Sequence, residues 1–230
     1  MKIQVLGTRG EIKASAPHHT KKSGVLIDDK ILLDVGDESF LAYHPEAILI
    51  THLHPDHAFF VRNGHALEID SKIFAPEHYQ NMAIEVPTHS FKIGDYAVQP
   101  IPTIHSIKVK SQGYLITHRN KKIFYTGDMI WIDKKYHRLL QGCDLVITEA
   151  SHVKKGGLVR RKPETGEIFG HTGMPDLMHF FKPYTHTILF VHFGSWFFDD
   201  IEQSRSAIQR LADEQEIQSI IGYDGLIINI

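Results

Sequence analysis

The sequence predicts a mixed α/β protein, its sheets covered by helices, folded as one domain across residues 1–230. Three observations lead there. Short apolar runs of strand length recur from one end of the chain to the other, separated by turn residues. Helical spacing occurs among these runs rather than in a block of its own, as expected for sheets with helices on their faces. No repeat, low-complexity tract or linker rich in Ser, Gly and Pro divides the 230 residues, and 42% hydrophobic beside 23% charged residues suffices for a full core at this length.

Taken in order, KIQVLG (residues 2–7) is a strand, and GVLIDDKILLDVG (24–36) is a hairpin turning at Asp28-Asp29-Lys30. AILIT, Ala47 to Thr51, is a short buried strand; KIFAP (72–76) is another, followed by PEHYQNMAIE (76–85), a helix opened by Pro76. FKIGDYAVQPIPTIH (91–105) forms strands ending at His105, and QGYLITHRNKKIFYTGD (112–128) is a hairpin around Arg119-Asn120 ending at Asp128. CDLVITEASH (143–152) is a buried strand ending at Glu149 to His152, and HTILFVHFG (186–194) is one ending at His192. DIEQSRSAIQRLADEQ (200–215) places Ile201, Ala207, Ile208, Leu211 and Ala212 at helical spacing with acids early. IQSIIGYDGLIINI (217–230) closes the chain as strand, turn and strand. His52, His105, Asp128, Glu149 and His192 each follow an apolar run, so the ends of several strands can bring them to one sheet edge.

A formal net charge of −2 argues against a global basic field for nucleic acid and leaves a local patch open. Cys143 is the single cysteine, so no internal disulfide forms and a reducing compartment fits. The first apolar run is too short for a signal peptide, and none nears the roughly 18 apolar residues of a membrane span. The expectation is a cytoplasmic protein without membrane partners. Histidine is the unusual component, at 17 of 230 residues.

LITHLHPDHAFF (49–60) places His52, His54, Asp56 and His57 within six residues behind an apolar strand. Buried imidazole is costly unless paired or bound to metal. Zinc takes neutral imidazole and carboxylate, and a catalytic zinc keeps one position open. Four ligands so close together are too many for one such ion, so two ions would share them.

THLHPDH resembles the H-x-H-x-D-H signature of the metallo-β-lactamase fold superfamily. LLDVGD resembles that family's first motif with Asp34 as its aspartate, and His105, Asp128 and His192 follow in the family's order. The resemblance runs from Gly7 to Asp224. It implies the metallo-β-lactamase fold, a four-layer αββα sandwich with the site at the sheet edge. It implies one divalent ion on His52, His54 and His105, a second on Asp56, His57 and His192, and Asp128 bridging both, with Asp34 orienting the metal loop. Two zinc ions are expected; manganese or iron suits the same ligands. The nucleophile implied is a water between the ions whose pKa falls near 7, which makes Asp56 part of the catalytic centre.

The bridging carboxylate of Asp128 speaks against β-lactam hydrolysis, and His-x-His rather than His-x-Glu speaks against the diiron flavoprotein branch. ITEASH (147–152) is similar to the H-E-A-T stretch of tRNase Z, and GHTGMPD (170–176) to its G-H-S-T stretch. GYDGLII (222–228) resembles the closing turn of that enzyme and of the carbon–phosphorus lyase pathway phosphodiesterase. The resemblance implies that His171 protonates a leaving alkoxide or stabilises the phosphorane, and that Glu149 orients His171. Phosphodiester cleavage needs both charge neutralisation and a proton for the leaving group. The expected function is a metal-dependent phosphodiesterase acting on a small-molecule or nucleotide-type phosphodiester. The alternatives are a hydrolase of a lactone, thioester or carboxylic ester, and an iron-dependent redox protein of this fold.

The chain departs from these relatives in three places. The stretch between His105 and Asp128 has no room for a tRNA-binding arm, the N-terminal loop lacks the cysteines of a structural zinc, and the stretch from Asp128 to His192 cannot hold an RNA-processing insert domain. Nucleic acid stays open as a partner without that arm, and oligomeric state stays open too, with a homodimer one option because the family often dimerises. Lys154, Lys155, Arg160, Arg161 and Lys162 form either a solvated loop or a set of phosphate contacts. His18, His19, Thr20 and Lys21 line the mouth or face solvent. GSWFF (194–198) is a pocket wall, a dimer contact or core, and His152 reaches the site or is structural. Asn63, His65, His78, His89 and His186 carry no motif.

Overall fold

The computed structural model describes residues 1–64 and 69–230; His65 lies outside them. Two mixed sheets dominate the described residues. The first orders its strands Ile227–Asn229, Lys2–Gly7, Gly24–Ile27, Ile31–Leu33, Ala47–Leu49, Lys72–Phe74 and Ile84–Glu85. The second runs Trp131–Ile132, Tyr96–Ile104, Gln112–His118, Lys121–Tyr125, Leu145–Ala150, Thr187–Phe193 and Gln218–Ile221, with Phe91–Ile93 also paired to Tyr96–Ile104.

Strand alternation builds the layers. Leu145 and Ile147 point into the core between the sheets, where they meet Val5, Val25, Leu33 and Leu49. Val146, one residue out of phase, points away to meet Met174, Leu177, Met178 and Phe181 of the helix Met174–Phe181 and Ile208 of the helix Ile201–Gln215. On the far side of the first sheet, Leu32 and Ile48 pack on Phe40 and Phe60 from the short helical segments Glu38–Tyr43 and Phe60–Asn63. The result is a four-layer αββα sandwich of the metallo-β-lactamase fold, with one thin and one substantial helical layer.

Two readings need correction, and one helix went unread. Residues 76–85 are not a helix: Met82 and Ile84 are buried at period two, and Ile84–Glu85 pairs in parallel with Ile73 and Phe74. Sheet pairing there overrides helix propensity. The helix Met174–Phe181 was legible in the i, i+3, i+4, i+7 spacing of Met174, Leu177, Met178 and Phe181. The basic stretch after Glu149 is not a bare loop but an antiparallel hairpin of Leu158–Arg161 and Ile168–His171.

Topology explains why the site residues meet. Ile31–Leu33 and Ala47–Leu49 are parallel, so Asp34 and the His52 turn leave the first sheet at one edge. Lys121–Tyr125, Leu145–Ala150 and Thr187–Phe193 are parallel in the second sheet, and two antiparallel steps make Tyr96–Ile104 parallel to them. His105, Asp128, Glu149 and His192 therefore emerge at the ends of parallel strands. The two edges are stitched together by bridges between His52 and Ser111 and between Arg9 and Phe193. Gly127, just before Asp128, has φ +58°, and a Cβ there would come within 2.6 Å of Thr51.

Candidate metal centre

The dense turn folds because each end of it is held. Ala58 N–H donates to the His54 carbonyl, and the Thr51 N–H donates to Asp34 Oδ1 at 2.7 Å. Asp34 is fully buried and also accepts from His57 Nδ1 at 2.7 Å, the Thr51 hydroxyl at 2.9 Å and the Tyr125 hydroxyl at 2.8 Å. With Nδ1 so occupied, His57 turns Nε2 toward Asp128 Oδ1, 3.4 Å away.

The structure brings all seven ligand candidates together. In each of the triads His52–His54–His105, His52–His57–Asp128 and Asp56–His57–His192, the ligating atoms lie within 4.8 Å of one another. Asp128 touches both sides: Oδ2 is 3.8 Å from His52 Nε2 and from His105 Nε2, and Oδ1 is 3.5 Å from His192 Nδ1. His105 is fixed by its Nδ1–H, which donates to the Gly170 carbonyl at 2.9 Å. His192, in the left-handed region at φ +53°, lies 2.9 Å from Asp56 through Nε2 and 3.0 Å from the Ser151 hydroxyl through Nδ1. Backbone strain of this kind is held only where surrounding contacts over-determine it.

The cluster divides electrostatically. Burial, with neighbouring imidazoles, lowers His52 well below the ordinary histidine value, lowers His54 to about 4 and lowers His105. Burial opposes charge on His57 and His192 too, but Asp128 and its carboxylate neighbours raise both. Against their own burial, Asp56 is held low chiefly by His57, and Asp128 chiefly by His192 and His57. Among the described residues, His52 Nε2, His57 Nε2 and Asp128 Oδ1 are buried without any hydrogen-bond partner. Buried polar atoms require satisfaction, and neutral imidazoles beside carboxylates are the donor set that divalent cations take. The residues fit a metal pair, and nothing in the donor set selects which metal.

Beside this cluster stands a second carboxylate–histidine pair. Glu149 is buried; its Oε1 accepts from Met129 N–H at 2.7 Å and its Oε2 from His171 Nδ1 at 2.7 Å. His171 Nδ1 is also 3.8 Å from Asp128 Oδ2. Burial works against its charge, but Glu149 and Asp128 raise its pKa to about 9. The His152 ring lies 6.0 Å from that of His171.

Sequence reasoning missed the groups that orient these side chains. Thr51, Ser151 and Tyr125 carry no motif, and their only signal is position, each within three residues of a site residue. His19 was expected to face solvent or the mouth, yet it is buried, with Nδ1 at 2.8 Å from the Thr8 hydroxyl, which donates to Asp224. Phe197 of GSWFF is core, stacked on Phe193. Among the described residues no helix is long and apolar enough to cross a membrane.

A family model described as a beta-lactamase superfamily domain matches residues 41–193, which include the seven ligand candidates, Glu149 and His171. No curated protein sequence matches the chain. Among solved structures, the metallo-beta-lactamase fold protein YhfI from Bacillus subtilis is similar at TM-score 0.69 and 17% identity, covering 99% of this chain and 98% of that one. A diphosphatase of the PhnP family is similar at TM-score 0.68 and 17% identity, over 100% and 97%. The short form of human tRNase Z is similar at TM-score 0.65 and 18% identity, over 100% and 99%.

Proposed function

The chain belongs to the beta-lactamase superfamily, and from that premise we propose that it is a di-metal hydrolase that cleaves phosphodiesters. The observation that carries the reading is the Glu149–His171 pair, with His171 Nδ1 at 2.7 Å from Glu149 and 3.8 Å from Asp128. Two structural relatives, one named a diphosphatase and one tRNase Z, lend it support.

His52, His54 and His105 would hold one cation and Asp56, His57 and His192 the other, with Asp128 between them; zinc suits this set. When bound, such ions supply Lewis acidity and a water of lowered pKa. The protein's residues supply the rest. Glu149 keeps the proton on His171 Nδ1, so Nε2 is the nitrogen turned to substrate. A proton on Nε2 passes to the leaving alkoxide as the P–O bond breaks, which is general-acid work. Glu149 is the positioning residue and His171 the catalytic one. An ester or thioester with a good leaving group has less need of that proton. The substrate is a small or nucleotide-type phosphodiester.

The test is a substrate panel of phosphodiesters, thioesters and lactones with protein loaded with zinc or manganese. Phosphodiester turnover is expected, abolished in Asp128→Ala. Thioester or lactone turnover without any phosphodiester turnover overturns the substrate class, and elemental analysis finding no bound metal overturns the whole reading.

A further inference from the structure

The GYDG turn near the end of the chain has no part in the proposed chemistry, yet its aspartate fixes the loop that joins Lys2–Gly7 to Gly24–Ile27. Asp224 Oδ1 accepts from the Thr8 hydroxyl at 2.9 Å, and Oδ2 accepts from the Thr20 and Lys21 N–H groups at 2.7 and 2.9 Å. The Asp224 N–H donates in turn to the His18 carbonyl at 2.7 Å. Both ends of the loop are thereby held.

The loop lies against the metal centre. The Gly10 N–H donates to the Phe193 carbonyl at 3.1 Å, and a Cβ on Gly10 would come within 3.0 Å of the His192 ring. At the other end, the Ser23 N–H donates to the Asp56 carbonyl at 3.1 Å. The loop therefore touches two residues of the second cation's triad.

Next to these contacts, Arg9, Lys13, Lys22 and Arg62 line a cleft of about 590 Å³. Three of the four cations belong to the loop, and Arg62 belongs to the segment Phe60–Asn63 that follows the metal turn. Glu11, Asp37 and Glu38 line it too. Asp37 is already a cap, its Oδ1 accepting from the Ser39 N–H at 3.0 Å. Glu11 spans the cations: its Oε2 accepts from Arg62 Nη2 at 2.5 Å and also pairs with Lys22 Nζ. Against the burial that raises it, Arg62 and Lys22 hold the Glu11 carboxyl low, and the Asp56 carboxylate is near enough to oppose them. The other two cations have no such partner. Arg9 Nε is buried without one, and the Arg9 side chain has a single hydrogen bond, from Nη1 to the Ala14 carbonyl at 3.4 Å. Lys13 makes no hydrogen bond or ion pair among the described residues.

A carboxylate gripped by an arginine and a lysine from separate parts of the chain marks a place that suits an anion. The same two groups take phosphate oxygens, the guanidinium through two at once. The Glu11 side chain is half-exposed, so it can swing out while the loop's fixed ends stay in place. Arg9 and Lys13 are there to meet the added charge.

We propose that this cleft is an anion subsite for a second, terminal phosphate of the substrate, with Arg62 and Lys22 as anchors and Glu11 as the carboxylate that the phosphate displaces. It rests on the phosphodiesterase reading for the scissile bond, and it narrows the substrate to a nucleotide-type diester that also carries a phosphate monoester. Two substrates separate the subsite from the chemistry: the 4-nitrophenyl ester of thymidine 5′-phosphate, and the same ester bearing a 3′-phosphate. Both expel 4-nitrophenolate, so the bond broken is the same and neither leans on the proton of His171.

The measured quantity is the ratio of kcat/KM for the two esters in metal-loaded protein, expected to favour the 3′-phosphorylated one. Arg62→Ala should cut that ratio about 10-fold or more, the usual size of a hydrogen bond to a charged group. Glu11→Gln should raise it by up to about 5-fold, the usual size of an exposed ion pair. The opposite signs are the signature, because a triad that only braces the loop would give losses in both variants. Calorimetry with thymidine 3′,5′-bisphosphate should show the same two opposite shifts. Equal use of the two esters by wild-type protein, or a ratio that falls in Glu11→Gln, overturns the subsite and leaves the phosphodiesterase reading standing. Wild-type protein that cleaves neither ester, yet binds the bisphosphate with those opposite shifts, overturns the phosphodiesterase reading and keeps the subsite. Absence of both cleavage and bisphosphate binding overturns both.

Discussion

Asp34 and Glu149 each hold the Nδ1 of a histidine at 2.7 Å, yet the side chain of His57 is 1% exposed and that of His171 24%. The partners of the two carboxylates differ in the same sense. Asp34 is tied to Thr51 and Tyr125 as well as to His57, so it joins the two sheets beneath the metal turn. Glu149 has one further partner, the Met129 N–H beside Asp128. A sealed pair can fix a ligand but cannot exchange a proton with a substrate. A pair with one open histidine can do both, and the cost of burying the carboxylate is met by two directed hydrogen bonds.

The widest break in this comparison is Asp34→Ala. It strips the buried Thr51 N–H and Tyr125 hydroxyl of their acceptor and frees His57 to rotate. Urea unfolding should show a loss on the order of 3–5 kcal/mol, the cost of removing one partner of a buried pair. Metal content should fall with it. A variant of wild-type stability that still holds metal would mean that the network beneath the turn is dispensable. His171→Ala should do the reverse: wild-type metal content and stability, with turnover lower by roughly 10²–10⁴-fold as for a lost general acid. Unchanged turnover would reject His171 as the proton donor.

Glu149→Gln acts one step further from the substrate and should cost about 10–100-fold in turnover, as orienting partners commonly do. Its second readout is a titration. In metal-free protein, Glu149 and Asp128 against burial raise His171 to about 9, so its proton should persist through neutral pH in a histidine NMR titration. Removing the Glu149 charge should move that midpoint down. The sign for stability follows: a raised folded pKa stabilises fully below the ordinary histidine value near 6.5 and loses that contribution as pH rises through about 9. A midpoint unmoved in Glu149→Gln would remove Glu149 from the pair.

The two halves of the site were not equally legible. His52, His54, Asp56 and His57 are contiguous, and their density beside a clean strand signals metal without knowledge of the fold. His105, Asp128, Glu149 and His192 are distant in sequence, and only strand ends marked them; parallel pairing in the second sheet is what brings them together. The pairing of Glu149 with His171 depends on a hairpin that the basic composition of residues 154–162 concealed. Arg160 and Arg161 suggested a solvated loop, whereas backbone pairing of Leu158–Arg161 with Ile168–His171 makes the stretch a hairpin with no period-two apolar pattern to announce it. Thr51, Ser151 and Tyr125 were invisible for a different reason: a hydroxyl that orients a ligand has no spacing rule, and its role exists only in the folded geometry.

The smallest effect is expected at Ser151. His192 Nδ1 meets a hydroxyl, Ser151 Oγ at 3.0 Å, as His52 Nδ1 meets Thr51 Oγ1 at 3.1 Å, and His192 has Asp56 on the opposite nitrogen at 2.9 Å. A neutral hydrogen bond is worth about 0.5–1.5 kcal/mol net, and one to a charged group roughly 1.5–3 kcal/mol. A hydroxyl should therefore hold His192 less firmly than Asp34 holds His57. Ser151→Ala should weaken the affinity of the second cation by at most about 10-fold and leave unfolding in urea close to wild type, since strand pairing and the Gly194 N–H to Ala150 carbonyl bond remain. Competition with a chelator, following the release of each cation in turn, distinguishes the outcomes. Loss of the second cation as complete as in Asp34→Ala would show that the strained backbone at His192 depends on this hydroxyl, and the grading of carboxylate over hydroxyl would fail.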